Sequence, residues 1–148
     1  MRLLGTATVA RGRSLLARGL CAVASLPRST PEVALEVQIT ANGNSERWTR
    51  HFGNYRPMRS TLHAQGDILI ERLGPAQFSF RLRARAGGIE WSLTRVSALG
   101  IALPQSWFTV SAFSDAHTNR YRFVVDVALL RVGRIIRYEG ELDVIRLS

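Results

Sequence analysis

Apolar and polar residues alternate with a period of two along most of the chain after Pro31, which is the pattern of β-strands with one buried face. In residues 33–40, for example, every second residue is a branched apolar one. Asn-Gly, Gly-Gly and Gly-Pro pairs separate the alternating runs and are typical of tight turns. The pattern predicts about eight antiparallel strands. It includes one long strand at 60–72, bent at Gly66, and a strand after Gly87-Gly88 in which Trp91, Leu93 and Arg95 share one side. A strand at about 120–129 has an unbroken apolar face from Tyr121 to Leu129, and a final hairpin has strands at about 132–138 and 140–147, with a bend near Gly140.

The segment before Pro31 has a different, helical period. Apolar residues fall near one face of a helix over about residues 9–25, and Pro27 follows where a helix commonly ends. The first 31 residues also hold five arginines and no acidic residue, which is the composition of a targeting segment. We expect a helix that belongs to the domain, with the targeting segment as the alternative.

Together these patterns predict one domain over residues 1–148. A chain of this length can bury one sizeable core. The predicted fold is mainly β: one N-terminal helix packed on a curved antiparallel sheet or barrel of about eight strands. Such a barrel can hold one small ligand. No apolar run is long enough for a transmembrane helix.

Charge adds one open question about partners. The net charge is +9, and all 20 basic residues are arginines. Codon bias in a GC-rich bacterial genome is one explanation, and an anionic partner such as nucleic acid or a lipid surface is the other. The row of Arg81, Arg83 and Arg85 has its interleaved aromatic residues on the opposite strand face, which argues against nucleic acid. A single cysteine, Cys21, excludes an internal disulfide and favours a reducing, cytoplasmic location.

Charged residues within apolar strand faces are the candidates for a functional site. Arg50, Arg72 and Arg95 share faces with large apolar residues, and a buried guanidinium needs a carboxylate partner. These pairs are either structural or form a clamp for an anion or a carboxylate. The available acids are Glu71, Glu90, Asp126 and Glu139.

We therefore predict a polar, arginine-lined site within the curved sheet, for a small apolar or acidic ligand. Its candidate residues are Trp48, Arg50, Glu71, Arg72, Asp126 and Tyr138. A cavity of several hundred cubic ångströms lined by at least two of Arg50, Arg72 and Tyr138 would favour such a site. No metal, cofactor or nucleophile is predicted, because the histidines are scattered and no Gly-x-Ser-x-Gly motif occurs. An enzyme of the lyase or isomerase type that uses Arg50, Glu71 and Tyr138 is the alternative.

An ordered set of short motifs resembles one known family. The motifs are Arg11-Gly12 to Leu26-Pro27, Trp48-x-Arg50-x-Phe52-Gly53, Ser60, Glu71-Arg72-x-Gly74-Pro75, Gly100-x-x-Leu103-Pro104, Phe123-x-x-Asp126-Val127 and Tyr138-x-Gly140-x-Leu142. Together they resemble the domain of unknown function 4166 family. The resemblance implies an accessory domain that, in larger relatives, follows a nucleotide-binding domain similar to saccharopine dehydrogenase. A Rossmann-type oxidoreductase is therefore the expected partner. The acid that the family carries near Ser111 to Ser114 is missing here.

Overall fold

The strands form a closed barrel in this computed structural model, which describes residues 1–23, 28–117 and 119–145. The eleven strands follow the order β6-β5-β4-β3-β2-β1-β11-β10-β9-β7-β8, and a further pairing of β6 with β7 closes the ring. Ten strands therefore form the wall, and β8 is an extra strand beside β7. Each neighbouring pair is antiparallel, as the alternation predicted. The mainly β prediction is confirmed, although about eight strands was an underestimate.

The described residues also contain one short helix, α1 (Leu15–Val23), and one 3-10 turn, Gln105–Trp107. The strands are β1 Arg2–Arg11, β2 Thr30–Asn42, β3 Ser45–Phe52, β4 Met58–Gln65, β5 Ile68–Leu73, β6 Ala76–Arg85, β7 Gly88–Ala98, β8 Ile101–Leu103, β9 Phe108–His117, β10 Arg120–Leu129 and β11 Gly133–Ile145.

The two ends of the barrel differ in what covers them. At one end, which we call the α1 end, helix α1 connects β1 to β2 and packs beside the start of β11, where the buried Cys21 thiol donates to the Ile135 carbonyl oxygen at 3.5 Å. Burial raises the pKa of that thiol, which suits a packed and unreactive residue. Met1 and Ile145 lie at the opposite end, the termini end, where Met1 bonds to the Ile39 carbonyl oxygen.

The N-terminal prediction was partly wrong. Residues 2–11 form β1, which lies between β2 and β11, and the helix begins only at Leu15. Leu3, Ala7 and Val9 are buried at strand spacing, a signal that the helical reading of Val9 obscured. Tertiary pairing outweighs local propensity here. The predicted helix end at residues 24–25 and Pro27 lies outside the described residues. Residues 2–11 pair within the barrel wall, and residues 15–23 pack beside β11.

The predicted long strand at 60–72 is a hairpin. Gly66 has φ +62°, a left-handed conformation that glycine adopts readily, so the chain turns back there and β4 pairs with β5. The turn resets the alternation, because Glu71 now lies on the same side as Leu73 and faces the barrel interior. The prediction that Arg72 shares the face of the apolar residues before Gly66 is therefore not met.

A bulge changes the orientation of Arg95 in β7. Ser79 pairs with Arg95 but Phe80 pairs with Leu93, so Thr94 is the extra residue. Leu93 and Val96 are buried on the inner side, and Arg95 is exposed. The predicted common face of Trp91, Leu93 and Arg95 is therefore broken at the bulge.

The predicted final hairpin is one continuous strand, β11. Gly140 lies inside it and pairs with both Ala7 and Phe123. A side chain at this position would overlap the Thr6 carbonyl oxygen, so glycine allows β1 and β11 to approach each other. The glycine therefore marks close packing of the wall and not a bend. Residues 146–147 of the predicted strand lie outside the described residues.

Candidate functional site

A large cavity fills much of the barrel interior. Its volume is about 490 Å³, within the range of small-molecule pockets. The lining is predominantly apolar because β10 directs a complete row of apolar and aromatic side chains inward, as the alternation predicted. That row consists of Tyr121, Phe123, Val125, Val127 and Leu129. A ten-stranded wall encloses more space than its own side chains fill, which explains the cavity.

Arg50 is the central polar residue of the cavity wall. It is 8% exposed and lies in β3, between the inward-facing Trp48 and Phe52. Its guanidinium donates to the Ser60 hydroxyl oxygen at 2.9 Å and to the Glu71 carboxylate at 3.1 Å. The same group lies over the Trp48 ring, 5.1 Å from its centroid.

Three adjacent strands bring this cluster together. Arg50 in β3, Ser60 in β4 and Glu71 in β5 all face inward near the α1 end of the barrel. Burial acts to lower the pKa of Arg50, but the charge of Glu71 and its hydrogen bond offset it, so the pKa lies above its ordinary value. Arg50 therefore stays charged inside an apolar chamber, held by one carboxylate and one hydroxyl.

Tyr138 lies on β11, on another part of the wall. Its ring packs edge-on against Phe52 at 6.2 Å and tilted against Phe123 at 6.0 Å. Burial raises the pKa of its hydroxyl to about 12, with Arg50 acting to lower it and Glu71 to raise it. No hydrogen bond to this hydroxyl occurs within the part of the chain that the structure describes. Tyr138 thus presents a neutral O–H group to the cavity.

Tyr121 and Ser114 add a second polar position on β10 and β9. Burial raises the pKa of Tyr121, and a hydrogen bond with Ser114 acts to lower it. The Trp91 indole N–H donates to the Ser114 hydroxyl oxygen at 3.3 Å. Sequence reasoning missed both residues as site candidates, because Tyr121 read as part of an apolar face and Ser114 as a gap where the resemblance expected an acid.

Two of the predicted site residues lie outside the barrel. Arg72 is exposed and donates to the Gln77 side chain at 3.2 Å. Asp126 lies on the outer face of β10, where both its oxygens accept hydrogen bonds from Arg134 at 3.2 Å. The structure therefore brings Trp48, Arg50, Glu71 and Tyr138 to the cavity and places Arg72 and Asp126 away from it.

The chemistry of the site is that of a polar cluster in an apolar chamber. It offers guanidinium and phenol donors, a carboxylate acceptor and aromatic faces. The described residues contain no group of His, Cys, Asp and Glu side chains suited to a metal ion. Among the same residues, no helix is both long and apolar enough to cross a membrane.

These features define a small antiparallel β-barrel protein with a largely apolar internal cavity. The sequence profile of the domain of unknown function DUF4166 matches residues 1–142, and the chain belongs to that family. The resemblance found in the motifs is thereby confirmed at the level of the family.

Comparison with solved structures supports the fold. A protein of unknown function from the DUF3598 family of Nostoc punctiforme PCC 73102 superposes with a TM-score of 0.60 and 11% sequence identity, over 97% of this chain and 46% of that one. The chain thus spans about half the length of this relative. A second match, to "a putative thioesterase II" from Thermobifida fusca YX, has 10% sequence identity and covers 97% of this chain and 78% of that protein. Its TM-score of 0.28 supports no argument. No curated protein matches the sequence.

Proposed function

We propose that the barrel binds one small, mostly apolar molecule and holds its polar end with Arg50 and Tyr138. The observation that carries this proposal is the cavity of about 490 Å³, which is lined by both residues and is otherwise predominantly apolar. A well-packed structural barrel would fill this space with side chains. An apolar cavity with a few convergent polar groups is the usual form of a ligand site.

The donors define the polar end of the ligand. Arg50 uses one N–H group for Ser60 and one for Glu71, and a guanidinium has further N–H groups to offer. Tyr138 is neutral at physiological pH, because its pKa is about 12, and can donate its proton in a hydrogen bond. A carbonyl or carboxylate oxygen is the acceptor that both donors fit. An apolar or acidic ligand thus agrees with the site.

Binding without chemical turnover fits the cluster better than catalysis does. A general acid or base works best when its pKa lies near the operating pH, and the pKa of Tyr138 lies far above it. Arg50 and Glu71 are engaged with each other at 3.1 Å. This leaves the lyase or isomerase alternative without an available base among the residues first nominated for it.

Native mass spectrometry of protein purified from cell extract tests the proposal directly. We expect a bound species of small mass that is released on denaturation. In Ala112→Trp, an indole ring would occupy the cavity and exclude the ligand, whereas the matched control Ser111→Trp changes the exposed outer face of the same strand. An apolar carboxylic acid with environment-sensitive fluorescence, added to delipidated protein, should bind wild type and the control but not Ala112→Trp. Equal binding by all three would contradict an internal site.

The family supports a second proposal, that the domain acts as an accessory to a Rossmann-type oxidoreductase. Its support is the resemblance to larger relatives in which this domain follows a domain similar to saccharopine dehydrogenase. A purified oxidoreductase domain from such a relative, mixed with this chain, should elute as a complex in size-exclusion chromatography. Separate elution at micromolar concentrations of both would count against the partnership.

A further inference from the structure

The α1 end of the barrel carries apolar side chains that no other part of the described chain covers. They lie on α1, on the β7–β8 connection, at the first residue of β8, on the 3-10 turn before β9 and on the β10–β11 connection, which all meet at this end. Between 47% and 83% of the surface of each of these residues is exposed, although apolar side chains are more often buried. The set, which we call the apolar rim, is Leu15, Leu16, Leu99, Ile101, Trp107 and Leu130.

Arginines lie among these apolar residues, and the acid nearest to any of them along the chain is Glu32, near the start of β2. The connections at the α1 end, including α1 itself, contain five exposed arginines in their described parts and no acid. None of the five takes part in an ion pair found within residues 1–23, 28–117 and 119–145. These residues, the arginine belt, are Arg13, Arg18, Arg28, Arg56 and Arg131.

The termini end shows the opposite arrangement. There, arginines on the outer wall meet carboxylates, as in Arg81 with Asp67 at 3.3 Å and Arg85 with Glu90 at 3.0 Å. Arg120 lies between Asp143 and Glu141. Acids therefore accompany arginines of the outer wall, including Arg134 with Asp126 at 3.2 Å toward the α1 end, whereas the connections of the α1 end contain arginines and no acid.

We infer that the α1 end docks on an anionic lipid surface. Apolar tips with an interfacial tryptophan can enter the headgroup region, and arginines beside them attract anionic headgroups. Nucleic acid fits less well, because most of the exposed apolar residues at this end are leucine or isoleucine, which offer no stacking surface, and the aromatic ones are Trp107 and the partly exposed Tyr55. The sequence analysis left an anionic partner open as an alternative. Exposed apolar residues together with arginines on the connections of the α1 end favour a lipid surface as that partner.

The rim is continuous with the cavity. Leu16 and Trp107 belong to the apolar rim and also line the cavity. Pro75 and Ala98, which lie at the same end outside the rim, line the cavity as well. A lipid surface covering this end would therefore contact the cavity mouth directly. The docking inference does not depend on a ligand inside the barrel, because the rim and the belt are outer-surface features.

Vesicle co-sedimentation tests the inference. We expect binding to vesicles of phosphatidylcholine with about 30 mol% phosphatidylglycerol and little binding to phosphatidylcholine alone. Raising NaCl from about 0.1 M to about 0.5 M should weaken the binding. Arg18→Glu with Arg131→Glu should weaken it about tenfold or more. The matched control, Arg47→Glu with Arg83→Glu, makes the same charge change on exposed outer-wall positions near the termini end and should retain most of the binding.

Tryptophan fluorescence gives an independent readout of orientation. Vesicle binding should shift the emission of Trp107 to shorter wavelength, and the shift should disappear in Trp107→Phe, which keeps an aromatic ring at this position and the other two tryptophans. Circular dichroism of each variant checks the fold. Equal losses of binding in the belt variant (Arg18→Glu with Arg131→Glu) and in its control, or no binding to any vesicle, would overturn the inference. Arginine-dependent binding to an oligonucleotide or to an oxidoreductase domain, without vesicle binding, would also overturn it and assign the surface to that partner.

Discussion

Two arginine–carboxylate groups lie on opposite sides of the same barrel wall. Inside, Arg50 contacts Glu71 at 3.1 Å, and their side chains are 10% and 16% exposed. Outside, Asp126 contacts Arg134 at 3.2 Å and Arg137 at 3.5 Å, and these side chains are 26%, 48% and 39% exposed. The distances are similar, so the surroundings and not the geometry distinguish the two groups.

That difference decides what each group can do. Outside, water solvates each charge and salt screens the attraction, so such pairs contribute little to stability. Inside, each charge depends on its partner, because the chamber offers few other polar groups. The inner pair is therefore the one whose spare donors a ligand can use, and the one whose disruption costs most.

Removal of the inner arginine should have the largest effect. Arg50→Ala leaves Glu71 facing an apolar chamber and removes packing against Trp48. We expect a loss of about 3–5 kcal/mol in the free energy of unfolding, measured by urea denaturation. The double variant Arg50→Met with Glu71→Leu removes both charges and should recover most of this loss. A urea denaturation curve of Arg50→Ala that matches wild type would refute the inner placement of Arg50.

Removal of the Ser60 hydroxyl, which accepts a hydrogen bond from Arg50, should reduce stability by less. Ser60→Ala leaves one buried guanidinium N–H group without its 2.9 Å acceptor. We expect a loss of about 1–3 kcal/mol in the same measurement. Thr61→Ala, on the exposed outer side of the same strand, is the matched control and should change stability by less than about 0.5 kcal/mol. Similar losses in the two variants would argue against a specific role for Ser60.

The loss of stability at alkaline pH should reveal the raised pKa of Tyr138. Its pKa is raised from 10.0 to about 12 in the folded state, so the unfolded chain loses this proton first as the pH rises. The contribution of Tyr138 is fully present below about pH 10 and is lost progressively up to about pH 12. Denaturation midpoints between those values should fall more steeply for wild type than for Tyr138→Phe. Identical pH profiles would mean that Tyr138 titrates as a solvated phenol.

Disruption of the outer group should have the smallest effect. Asp126→Asn removes the carboxylate charge opposite Arg134 and Arg137, all of which contact solvent. We expect a loss of at most about 1 kcal/mol. The difference from wild type should shrink further at about 0.5 M NaCl, because salt screens exposed charges. A loss as large as that of Arg50→Ala would erase the distinction between the two sides of the wall.

Alternation along the sequence was sufficient to predict the barrel walls but not where each charge points. The apolar row of β10 is uninterrupted, and its inward orientation followed directly from the period of two. Glu71 and Arg72 were ambiguous because Gly66 could bend a strand or turn it, and the two outcomes place opposite residues inside. Arg95 depended on a one-residue bulge, which leaves no periodic signal of its own.

The site could be predicted only in part for a related reason. Arg50 and Tyr138 were identifiable as polar residues within apolar faces, but their common chamber depends on barrel closure. That closure requires β1 to pair with β11 and β7 with β9, and no local pattern encodes these contacts because neither pair of strands is joined by a turn. The polar position formed by Ser114 and Tyr121 could not be predicted either, because it depends on the pairing of β9 with β10.

The pairing of β1 with β11 joins Arg2 to Ile145, so the first and last strands of the described chain are neighbours. Contacts between residues so distant in sequence slow folding, because the loop must close before any pairing energy is gained. During synthesis, the wall stays open until the final strand has left the ribosome. We therefore expect refolding on the slow side for a chain of this size, in milliseconds to seconds, with an unsealed sheet edge exposed until the last strand docks.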